Sequence, residues 1–372
     1  MGLDLKHQII TQAKNLGLDI IGFAPARSLL QVRGYLESRV KENRHTSLEW
    51  AELAERIDPE LLLQGVKTVI TLGIAYYHPE PKPAGGLRGT LSRSAWGTDY
   101  HLVLGSKLKE LTQFIKDMTG ARVESFVDTG PPVDRAWGIE GGIGWSGKNC
   151  ALINPHFGSW VFLGNIFTDL VLEPDIPLKN TCGECDLCLK ACPTQALRKE
   201  HIIDPFRCVS YLTQMKGFVP REYRSLMGTK LYGCDTCQVV CPANKQAAQS
   251  STAEFKPNPE LAFPLLADLL ALSNREFKAQ FGRSAAGWRG RTVLQRNALI
   301  SLGNLKSKES KGILFACLKD SRPVIRGHAA WALGEIGEGI SEMRIALEQE
   351  QDPTVKEELV SAINKIEGRQ DR

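Results

Sequence analysis

The chain lacks any apolar run approaching the roughly 18–20 residues that a membrane-spanning helix needs. It also lacks the features of an export signal, because residues 1–26 carry no charged n-region, no unbroken apolar stretch and no twin arginines. These absences predict a soluble, cytoplasmic protein. Its 372 residues are enough for two or three domains of about 150 residues each.

A large excess of charge of one sign is also missing, since 46 basic and 42 acidic residues leave a formal net charge of +4. The distribution is uneven, however. Residues 278–326 contain eleven basic and two acidic residues, whereas residues 327–372 contain five basic and ten acidic ones. A basic block inside a near-neutral chain favours a local polyanion site over a general affinity for anionic surfaces.

Cysteine is the abundant residue that stands out. Eight of the ten cysteines lie between Cys182 and Cys241, and the other two are Cys150 and Cys317. In a reducing compartment such a cluster indicates metal or redox chemistry rather than disulfides. We interpret Cys150 and Cys317 as packing residues, because each lies in or beside an apolar segment.

The first half of the cluster has the spacing Cys182-x2-Cys185-x2-Cys188-x3-Cys192-Pro. This is the spacing of bacterial ferredoxins, in which the fourth cysteine binds the other of two clusters. Zinc sites also use Cys-x2-Cys pairs, but a zinc site needs two such pairs and not three cysteines within seven residues. The spacing therefore predicts iron–sulfur clusters.

The second half reads Cys234-x2-Cys237-x3-Cys241-Pro and has Leu231 where its first cysteine is expected. Cys208 is the remaining nearby cysteine and supplies the missing thiolate. Eight ligands predict two [4Fe–4S] clusters. The predicted ligands are Cys182, Cys185, Cys188 and Cys241 for cluster one, and Cys192, Cys208, Cys234 and Cys237 for cluster two.

The hydrophobic periodicity and the position of the cysteines predict a multidomain α+β chain with three segments. These are a mixed α/β domain over residues 1–175, a ferredoxin-like domain over 176–247, and an all-helical domain over 258–372. Apolar, β-branched runs predict strands at 19–24, 68–77, 123–127, 151–154 and 160–167. Helices are predicted over 101–118 and 134–140, and residues 154–158 read as a turn between two strands of a mixed sheet.

The C-terminal domain contains a repeat of 30 residues, visible in the segments that end at Arg296, Arg326 and Lys356. Each segment precedes an apolar helix, at 297–305, 327–336 and 357–366, and Pro323 and Pro353 fall at the same phase. Paired helices at a fixed period predict HEAT-like repeats.

A glycine motif, Gly142-x-Gly144-x-x-Gly147, formally matches a dinucleotide fingerprint, with Asp169 about twenty residues further on. That fingerprint needs a strand before the first glycine and a helix after the third. Here a predicted helix precedes the motif and a strand follows it. The order therefore argues against a nicotinamide site.

Five segments together resemble a known family: residues 93–101 (RSAWGTDYH), 127–131 (VDTGP), 142–149 (GIGWSGKN), 231–238 (LYGCDTCQ), and 288–297, which contains WRG and QRN. In this order, with the eight cysteines and the helical repeats, they are similar to the epoxyqueuosine reductases over nearly the whole chain. The resemblance implies cobalamin in the first domain. It also implies reduction of an epoxide on a tRNA wobble base to an alkene, the final step of queuosine biosynthesis.

The chemistry needs two electrons and two protons and releases water, so the departing oxygen needs an acid. We expect that acid to have a pKa raised by a low-dielectric pocket. Asp128 ends a predicted strand at a Gly-Pro turn. It is a cap of the following segment or the proton donor, and the resemblance favours the proton donor. Asp134 and Glu140 are predicted to lie on the solvated face of a helix, and Tyr100 and His101 either line the pocket or pack at a helix start.

The resemblance further implies a set of cobalamin contacts in addition to Asp128. They are Arg56, Ser92, Arg93, Lys148, Asn149, Leu152, Asn154, Leu163, Val209 and Asp235. The common cobalamin ligand motif Asp-x-His-x-x-Gly is absent, because Asp99-Tyr100-His101 is followed by glycine one residue too late, at Gly105. A histidine-ligated cobalt is therefore not predicted.

Basic residues interleaved with an aromatic one, in residues 281–297, are either a solvated face around a core Trp288 or a tRNA surface, and the resemblance favours the tRNA surface. On such a surface arginines and lysines neutralise phosphates and an exposed ring stacks on an unpaired base. Arg326 repeats the position of Arg296 one unit later, which predicts a basic ridge. The predicted tRNA contacts are Lys216, Arg221, Arg224, Arg283, Trp288, Arg289, Arg291, Gln295, Arg296, Asn297 and Arg326. The wobble base itself must be splayed out of its loop to react.

Two other functions are consistent with part of the sequence. One is a reductive dehalogenase-like enzyme that acts on a small molecule, against which the missing twin arginines and the basic repeats argue. The other is an electron-transfer protein that docks a partner through its repeats, which leaves residues 1–175 without a purpose. The leading hypothesis is a monomeric reductase that acts on the anticodon stem-loop of tRNA and receives electrons from an external flavodoxin- or ferredoxin-type donor.

Overall fold

The computed structural model describes residues 2–83 and 85–370. Its strands are β1 (Ile20–Pro25), β2 (Thr68–Ala75), β3 (Thr90–Leu91), β4 (Val123–Phe126), β5 (Trp145–Ser146), β6 (Leu152–Ile153), β7 (Val161–Thr168), β8 (Leu197–Lys199), β9 (Ile202–Ile203) and β10 (Lys230–Tyr232).

Its α-helices are α1 (Gly2–Asn15), α2 (Leu30–Lys41), α3 (Leu53–Ile57), α4 (Tyr100–Thr119), α5 (Asp134–Glu140), α6 (Leu187–Ala191), α7 (Val209–Leu212), α8 (Arg221–Arg224), α9 (Thr236–Val239), α10 (Pro259–Ala262), α11 (Leu266–Ala271), α12 (Asn274–Phe281), α13 (Arg291–Leu305), α14 (Lys311–Cys317), α15 (Pro323–Ile336), α16 (Ile340–Gln349) and α17 (Pro353–Gln370). Among the described residues, no helix combines the length and the apolar character that crossing a membrane requires.

The chain forms two compact units whose segments alternate along the sequence. Unit one comprises residues 1–79, 98–206 and 235–256, and unit two comprises 80–97, 207–234 and 257–372. The predicted ferredoxin-like segment 176–247 is therefore not a compact unit by itself. The reason is that α9 packs on α6 within unit one, whereas β10 pairs with β3 and packs on α13 within unit two.

Unit one is built on a four-stranded sheet with the order β1-β2-β7-β4. Every neighbouring pair in it is antiparallel, so the prediction of a mixed sheet was wrong. β2 and β7 are buried along most of their length, which follows from their central position and their Val, Ile and Phe content. Helix α4 packs on β4 and β7, and α5 packs on β1, β2 and β7.

The turn at residues 154–158 is present, and Asn154 and Gly158 bridge across it. It connects β6, which pairs with β5, to β7 in the main sheet. A close approach positions the end of α5 nearby: a Cβ on Gly22 of β1 would lie 2.0 Å from the carbonyl oxygen of Gly141. Glycine is required at Gly22 for this contact.

Unit two contains the predicted helical repeats. α13, α15 and α17 pack side by side in sequence order, and α14 and α16 connect them by packing on α15 and α17. Pro323 and Pro353 each begin a helix, where a missing backbone N–H costs nothing. The prediction of HEAT-like repeats is therefore confirmed, with each long helix beginning a few residues earlier than predicted.

Candidate functional site

Asp128 lies in unit one directly beyond β4, in a turn where its backbone adopts a left-handed φ of 47°. Its carboxylate is 58% exposed. Tyr100, the first residue of α4, donates a hydrogen bond from its hydroxyl to Asp128 Oδ2 at 2.6 Å. His101 Nε2 lies 3.5 Å from the same oxygen. The start of one helix and the end of one strand thus bring a phenol, an imidazole and a carboxylate together.

The imidazole of His101 is held between two carboxylates. Its Nδ1 lies 2.7 Å from Asp99 Oδ1, which also caps α4 by accepting from the backbone N–H of His101 at 3.0 Å. Burial alone would lower the pKa of His101, but Asp128 and Asp99 outweigh it and raise that pKa to about 9. His101 is therefore an imidazolium at neutral pH.

The prediction that the proton donor, Asp128, has a raised pKa was wrong. Desolvation by the surrounding side chains tends to raise the pKa of Asp128 although its carboxylate is partly exposed, yet the contacts with His101 and Tyr100 overcome it and leave the pKa below its usual value. The proton of the pair therefore resides on His101, and Asp128 is a carboxylate that can receive it. Asp99 was not among the predicted site residues, although an aspartate two residues before a histidine at a helix start is a signal for such a pair.

Tyr100 is fixed by aromatic packing. Its ring stacks on Phe162 of β7 at a centroid distance of 4.2 Å and on His101 at 4.1 Å. Phe162 in turn stacks on Tyr76 at 4.2 Å. Because the rings restrict one another, the hydroxyl of Tyr100 and the imidazole of His101 are presented to Asp128 in a defined orientation.

Asp134 does not lie on a solvated helix face. As the first residue of α5 it accepts a hydrogen bond at 2.6 Å from the side-chain amide of Asn165, a fully buried residue of β7. Glu140, at the other end of α5, accepts from Arg27 at 2.8 Å and from Gln31 at 2.6 Å. Burial, reinforced by the charge of Asp128, raises the pKa of Asp134 to about 8.

The four cysteines predicted for cluster one lie in unit one around a cavity of about 730 Å³. They are Cys182, Cys185, Cys188 and Cys241. Cys188 lies on α6, and burial followed by the proximity of the other thiols raises the pKa of both Cys188 and Cys241. Lys148 and Asn149 line the same cavity.

Four thiols that line one cavity fit the ligand set of an iron–sulfur cluster. Within residues 2–83 and 85–370, no group of three or more His, Cys, Asp or Glu side chains has the spacing for one metal ion, and no disulfide joins two cysteines. Thiols spread around a cavity fit a cuboidal iron–sulfur cluster, which needs four separated thiolates.

The other four predicted ligands divide between the units. Cys192 and Cys237 belong to unit one, and Cys208 and Cys234 belong to unit two. Cys192 Sγ accepts a hydrogen bond from the backbone N–H of Ala196 at 3.2 Å, an interaction typical of thiolate ligands. Their assignment to cluster two remains a prediction.

The two remaining cysteines carry no such features. Cys150 and Cys317 are partly buried, and burial raises the pKa of both thiols, to about 11 for Cys317. A raised pKa disfavours the reactive thiolate, which fits the predicted packing roles.

The glycine motif at 142–147 has the surroundings that the sequence indicated. It follows α5 and runs into β5, and the chain after Gly147 turns back, with the N–H of Cys150 donating to the carbonyl of Gly147 at 2.9 Å. No helix begins at its third glycine, so the geometry of a dinucleotide-binding turn is not formed.

Several predicted cobalamin contacts lie in unit one: Arg56, Asp128, Lys148, Asn149, Leu152, Asn154, Leu163 and Asp235. Arg56 pairs with Glu49 at 3.3 Å, and Lys148 pairs with Glu200 at 2.7 Å. Asn154 is used inside the fold, because its amide donates to the carbonyl of Ile143 at 2.7 Å and its Oδ1 accepts from the backbone of the turn. Its contact with cobalamin stays a prediction.

The remaining three lie in unit two. Ser92 is buried, with its hydroxyl 3.0 Å from that of Ser94. The guanidinium of Arg93 packs over the ring of Trp96 at 4.5 Å. Val209 is buried in a core cluster with residues of α7, α13 and the adjoining loops, so its side chain is a packing residue.

Four predicted tRNA contacts are buried, and the prediction is wrong for them. Arg296 donates to the carbonyls of Met215, Gly217 and Leu212 at 2.6–2.9 Å, and its burial lowers its pKa to about 9. Asn297 donates to the carbonyls of Thr213 and Leu231 at 2.8 and 2.7 Å. These side chains satisfy the irregular backbone of residues 212–231 and tie it to α13.

Gln295 and Arg224, the other two buried residues, also bind partners inside unit two. Gln295 donates to the carbonyls of Leu269 and Leu270 at 3.1 and 2.9 Å. Arg224 forms a buried, two-pronged ion pair with Glu358 at 2.7 and 2.9 Å, which joins α8 to α17. These four side chains were predicted to bind RNA because buried and RNA-binding arginines and amides use the same hydrogen-bond donors. Only the fold shows that the four face inward.

The predicted basic ridge is also not formed, because Arg296 is buried and Arg326 pairs with Glu350 at 2.6 Å. An exposed set remains in unit two. Trp288 is 54% exposed, and the guanidinium of Arg289 lies over its ring at 4.3 Å. The other accessible or partly accessible predicted contacts are Lys216, Arg221, Arg283 and Arg291.

Comparison with known proteins agrees with these features. Residues 56–129 match the family model of epoxyqueuosine reductase QueG, DUF1730, residues 181–244 match a 4Fe-4S double cluster binding domain, and residues 289–364 match HEAT repeats. The epoxyqueuosine reductase of Bacillus cereus is 42% identical over 95% of this chain and 96% of its own length.

Solved structures agree as well. An epoxyqueuosine reductase with an epoxyqueuosine-modified tRNA-Tyr stem loop superposes with a TM-score of 0.97 at 41% identity, covering 99% of this chain and all of that one. The Bacillus subtilis enzyme, in a structure whose aspartate-bearing catalytic loop is swung out of the active site, superposes with a TM-score of 0.95 at 40% identity over 98% of this chain and all of that one. The chain is therefore an oxidoreductase that belongs to the epoxyqueuosine reductase family.

Proposed function

We propose that this chain reduces the epoxide of epoxyqueuosine at the wobble position of tRNA to the alkene of queuosine, the final step of queuosine biosynthesis. The observation that carries the proposal is the likeness, across nearly all of both chains, to an epoxyqueuosine reductase solved with an epoxyqueuosine-modified stem loop. The double-cluster match supports a one-electron relay built on the eight cysteines.

We assign cobalamin to unit one, as the family implies. Two features of the chain fit a large amphipathic cofactor. One is the partly exposed apolar side chain of Leu163, near the start of β7. The other is the exposed carboxylate of Asp128, just after the end of β4. Because β4 and β7 are antiparallel neighbours, both residues lie at the same edge of the sheet. Lys148 and Asn149 would meet its polar periphery. When bound, cobalamin supplies a strongly reducing, nucleophilic cobalt centre towards the strained ring.

The protein's own residues supply the proton for the departing oxygen. Conversion of the epoxide to the alkene consumes two electrons and two protons and releases one water. Asp128 receives a proton from the imidazolium of His101 and passes it to the oxygen as the first carbon–oxygen bond breaks. A second proton, taken up from water through the same pair, lets the oxygen leave as water when the second carbon–oxygen bond breaks. Tyr100 orients the carboxylate, and Asp99 holds the His101 ring and stabilises its charge.

The test is anaerobic reconstitution with iron, sulfide and cobalamin, followed by metal analysis and an assay on an epoxyqueuosine-containing stem loop. We expect about eight irons for eight thiolates, one cobalt per chain, and a product lighter by one oxygen atom. Full iron loading with no corrinoid retained and no conversion would instead identify an electron carrier, and zinc in place of iron would contradict both.

The exposed pair of Trp288 and Arg289 is the feature of unit two best suited to an unpaired base. Replacing Trp288 with alanine is expected to weaken binding of the stem loop roughly 5- to 150-fold, the value of one stacked base. The check is a titration of labelled stem loop at fixed salt. Trp50→Ala provides a matched control, because Trp50 is an exposed tryptophan of unit one. Equal affinity of the wild type and Trp288→Ala would exclude stacking at this ring.

We also propose that the enzyme acts as a monomer in the cytoplasm, where its tRNA substrate is found, and that an external flavodoxin- or ferredoxin-type protein supplies the electrons. Cluster one is suited to receive them, since its predicted ligands line a cavity whose lining also includes the exposed Leu178 and Lys179.

A further inference from the structure

The turn that carries Asp128 is tied down by a second aspartate. Asp134 lies six residues further along and begins α5, and its Oδ1 accepts from the amide of Asn165 at 2.6 Å. Asn165 stands opposite Phe126, the last residue of β4, in the register of β4 and β7. The backbone N–H of Asp128 also acts on the Asp134 carboxyl and tends to lower its pKa. One carboxyl therefore connects the sheet, the turn and the helix.

The turn needs such support because Asp128 has a φ of 47°, in the left-handed region that residues with a Cβ avoid. A strained residue persists only where its surroundings hold it in place. Beyond the turn, α5 packs on the sheet. Loss of the contact at Asp134 would leave the turn held at its two ends and through the contacts of the Asp128 carboxylate with Tyr100 and His101.

The side-chain amide of Asn165 indicates the protonation state of Asp134. Asn165 is fully buried, and its Oδ1 has no hydrogen-bond partner among the described residues. A buried amide oxygen without a donor is costly. A carboxylic acid can donate to the amide oxygen while it accepts from the amide nitrogen, whereas a carboxylate can only accept. A neutral Asp134 would therefore satisfy both ends of Asn165.

The electrostatic surroundings agree. Burial and then the negative charge of Asp128 raise the pKa of Asp134 to about 8, against smaller opposing effects of Asn165, Arg135 and the backbone N–H of Asp128. Asp128 and Arg135 are the charged groups that act on it. An ionised Asp134 would repel both the Asp128 carboxylate and the lone pairs of Asn165 Oδ1.

We propose that Asp134 is a positioning residue that, as a neutral acid paired with Asn165, latches the turn and holds Asp128 in the active site. The role rests on the assignment of Asp128 as proton donor in the proposed function. It also implies that deprotonation of Asp134 releases the turn, so the latch weakens as the pH rises.

The test compares Asp134→Asn with Asp134→Ala. Asparagine can both accept from and donate to Asn165, so Asp134→Asn should keep most of the wild-type kcat at pH 7. It should also move the alkaline fall of kcat from about pH 8 towards pH 9. Alanine breaks the latch, and kcat should drop roughly 10- to 100-fold from misplacement of the catalytic group, with KM for the stem loop unchanged.

A second readout needs no turnover. The infrared carbonyl band of a protonated carboxyl should be present in the wild type at pH 7, vanish with an apparent pKa of about 8, and be missing from Asp134→Asn. Asn165→Leu, which keeps the branched shape and the number of heavy atoms but has no polar group, should reproduce the loss of kcat seen with Asp134→Ala. If either variant fails to fold, the comparison of the wild type with Asp134→Asn still decides the question.

Three results would overturn the latch: wild-type kcat in Asp134→Ala, an Asp134→Asn as inactive as Asp134→Ala, or no carboxyl titration near pH 8. Asp128→Asn, assayed in the same series, distinguishes failure of the latch from failure of the assignment of Asp128 as the proton donor. Full turnover by Asp128→Asn would overturn the assignment of Asp128 and the latch with it. An inactive Asp128→Asn beside a fully active Asp134→Ala would overturn the latch alone.

Discussion

Replacing Asp128 with asparagine is expected to lower turnover of the epoxyqueuosine stem loop roughly 10²- to 10⁴-fold, the contribution of a positioned proton donor. Asparagine keeps the shape of the side chain and can still accept the hydrogen bond from Tyr100. It cannot receive a proton from His101 or pass one to the departing oxygen. The measurement is single-turnover conversion, followed by mass spectrometry of the digested RNA.

The control is Asp169→Asn, the same chemical change in an aspartate that pairs with Arg122 at 2.9 Å, away from the proposed donor. It should turn over at the wild-type rate. Both variants should bind the stem loop as the wild type does, because the change at Asp128 affects a proton and not a contact surface. More than half of the wild-type turnover in Asp128→Asn would contradict its role as the donor.

The pH dependence has a definite sign. The contacts with Asp99 and Asp128 raise the pKa of His101 to about 9, so the imidazole carries its proton at neutral pH and loses it as the pH rises through 9. Turnover limited by this proton should be flat near neutrality and fall on the alkaline side. In Asp134→Asn, where the latch cannot titrate, the remaining fall should centre near pH 9.

Features encoded by local spacing were predictable from the sequence. The first three cysteines of the cluster run lie within seven residues, so their shared cavity followed from the spacing. Helix α5 begins and ends where the sequence predicted, at Asp134 and Glu140. The 30-residue repeat likewise predicted α13, α15 and α17, because helical periodicity is a property of neighbouring residues.

Features that depend on distant residues were not predictable. The order β1-β2-β7-β4 places β7 between two strands that precede it, which no local pattern reveals. Asp134 and Asn165 are separated by 31 residues and meet only through that order. Arg296 and Asn297 have the chemistry of an RNA contact, yet α13 is buried on all sides over residues 293–303, so those side chains bind backbone carbonyls instead.

Removal of a predicted cluster ligand should lower turnover as much as the loss of Asp128 does, but it should also lower the iron content. In Cys241→Ser the thiolate that closes the cavity with Cys182, Cys185 and Cys188 is replaced by a hydroxyl. A hydroxyl is a poor ligand for iron, so the reconstituted protein should hold about four irons where the wild type holds about eight. Turnover should then fall to background while stem-loop binding is retained.

Cys317→Ser is the matched control, because the high pKa of Cys317 and its place in α14 mark it as a packing residue, and this variant should keep both its iron and its turnover. Cys208→Ser tests, by the same iron count, the one ligand that lies outside the regular cysteine spacing, since Cys208 was assigned because Leu231 occupies the expected position. A loss of about four irons there would complete the second ligand set. Full iron content in Cys208→Ser would instead mean that cluster two is closed by another group, and full iron content in Cys241→Ser would contradict the assignment of the cavity to cluster one.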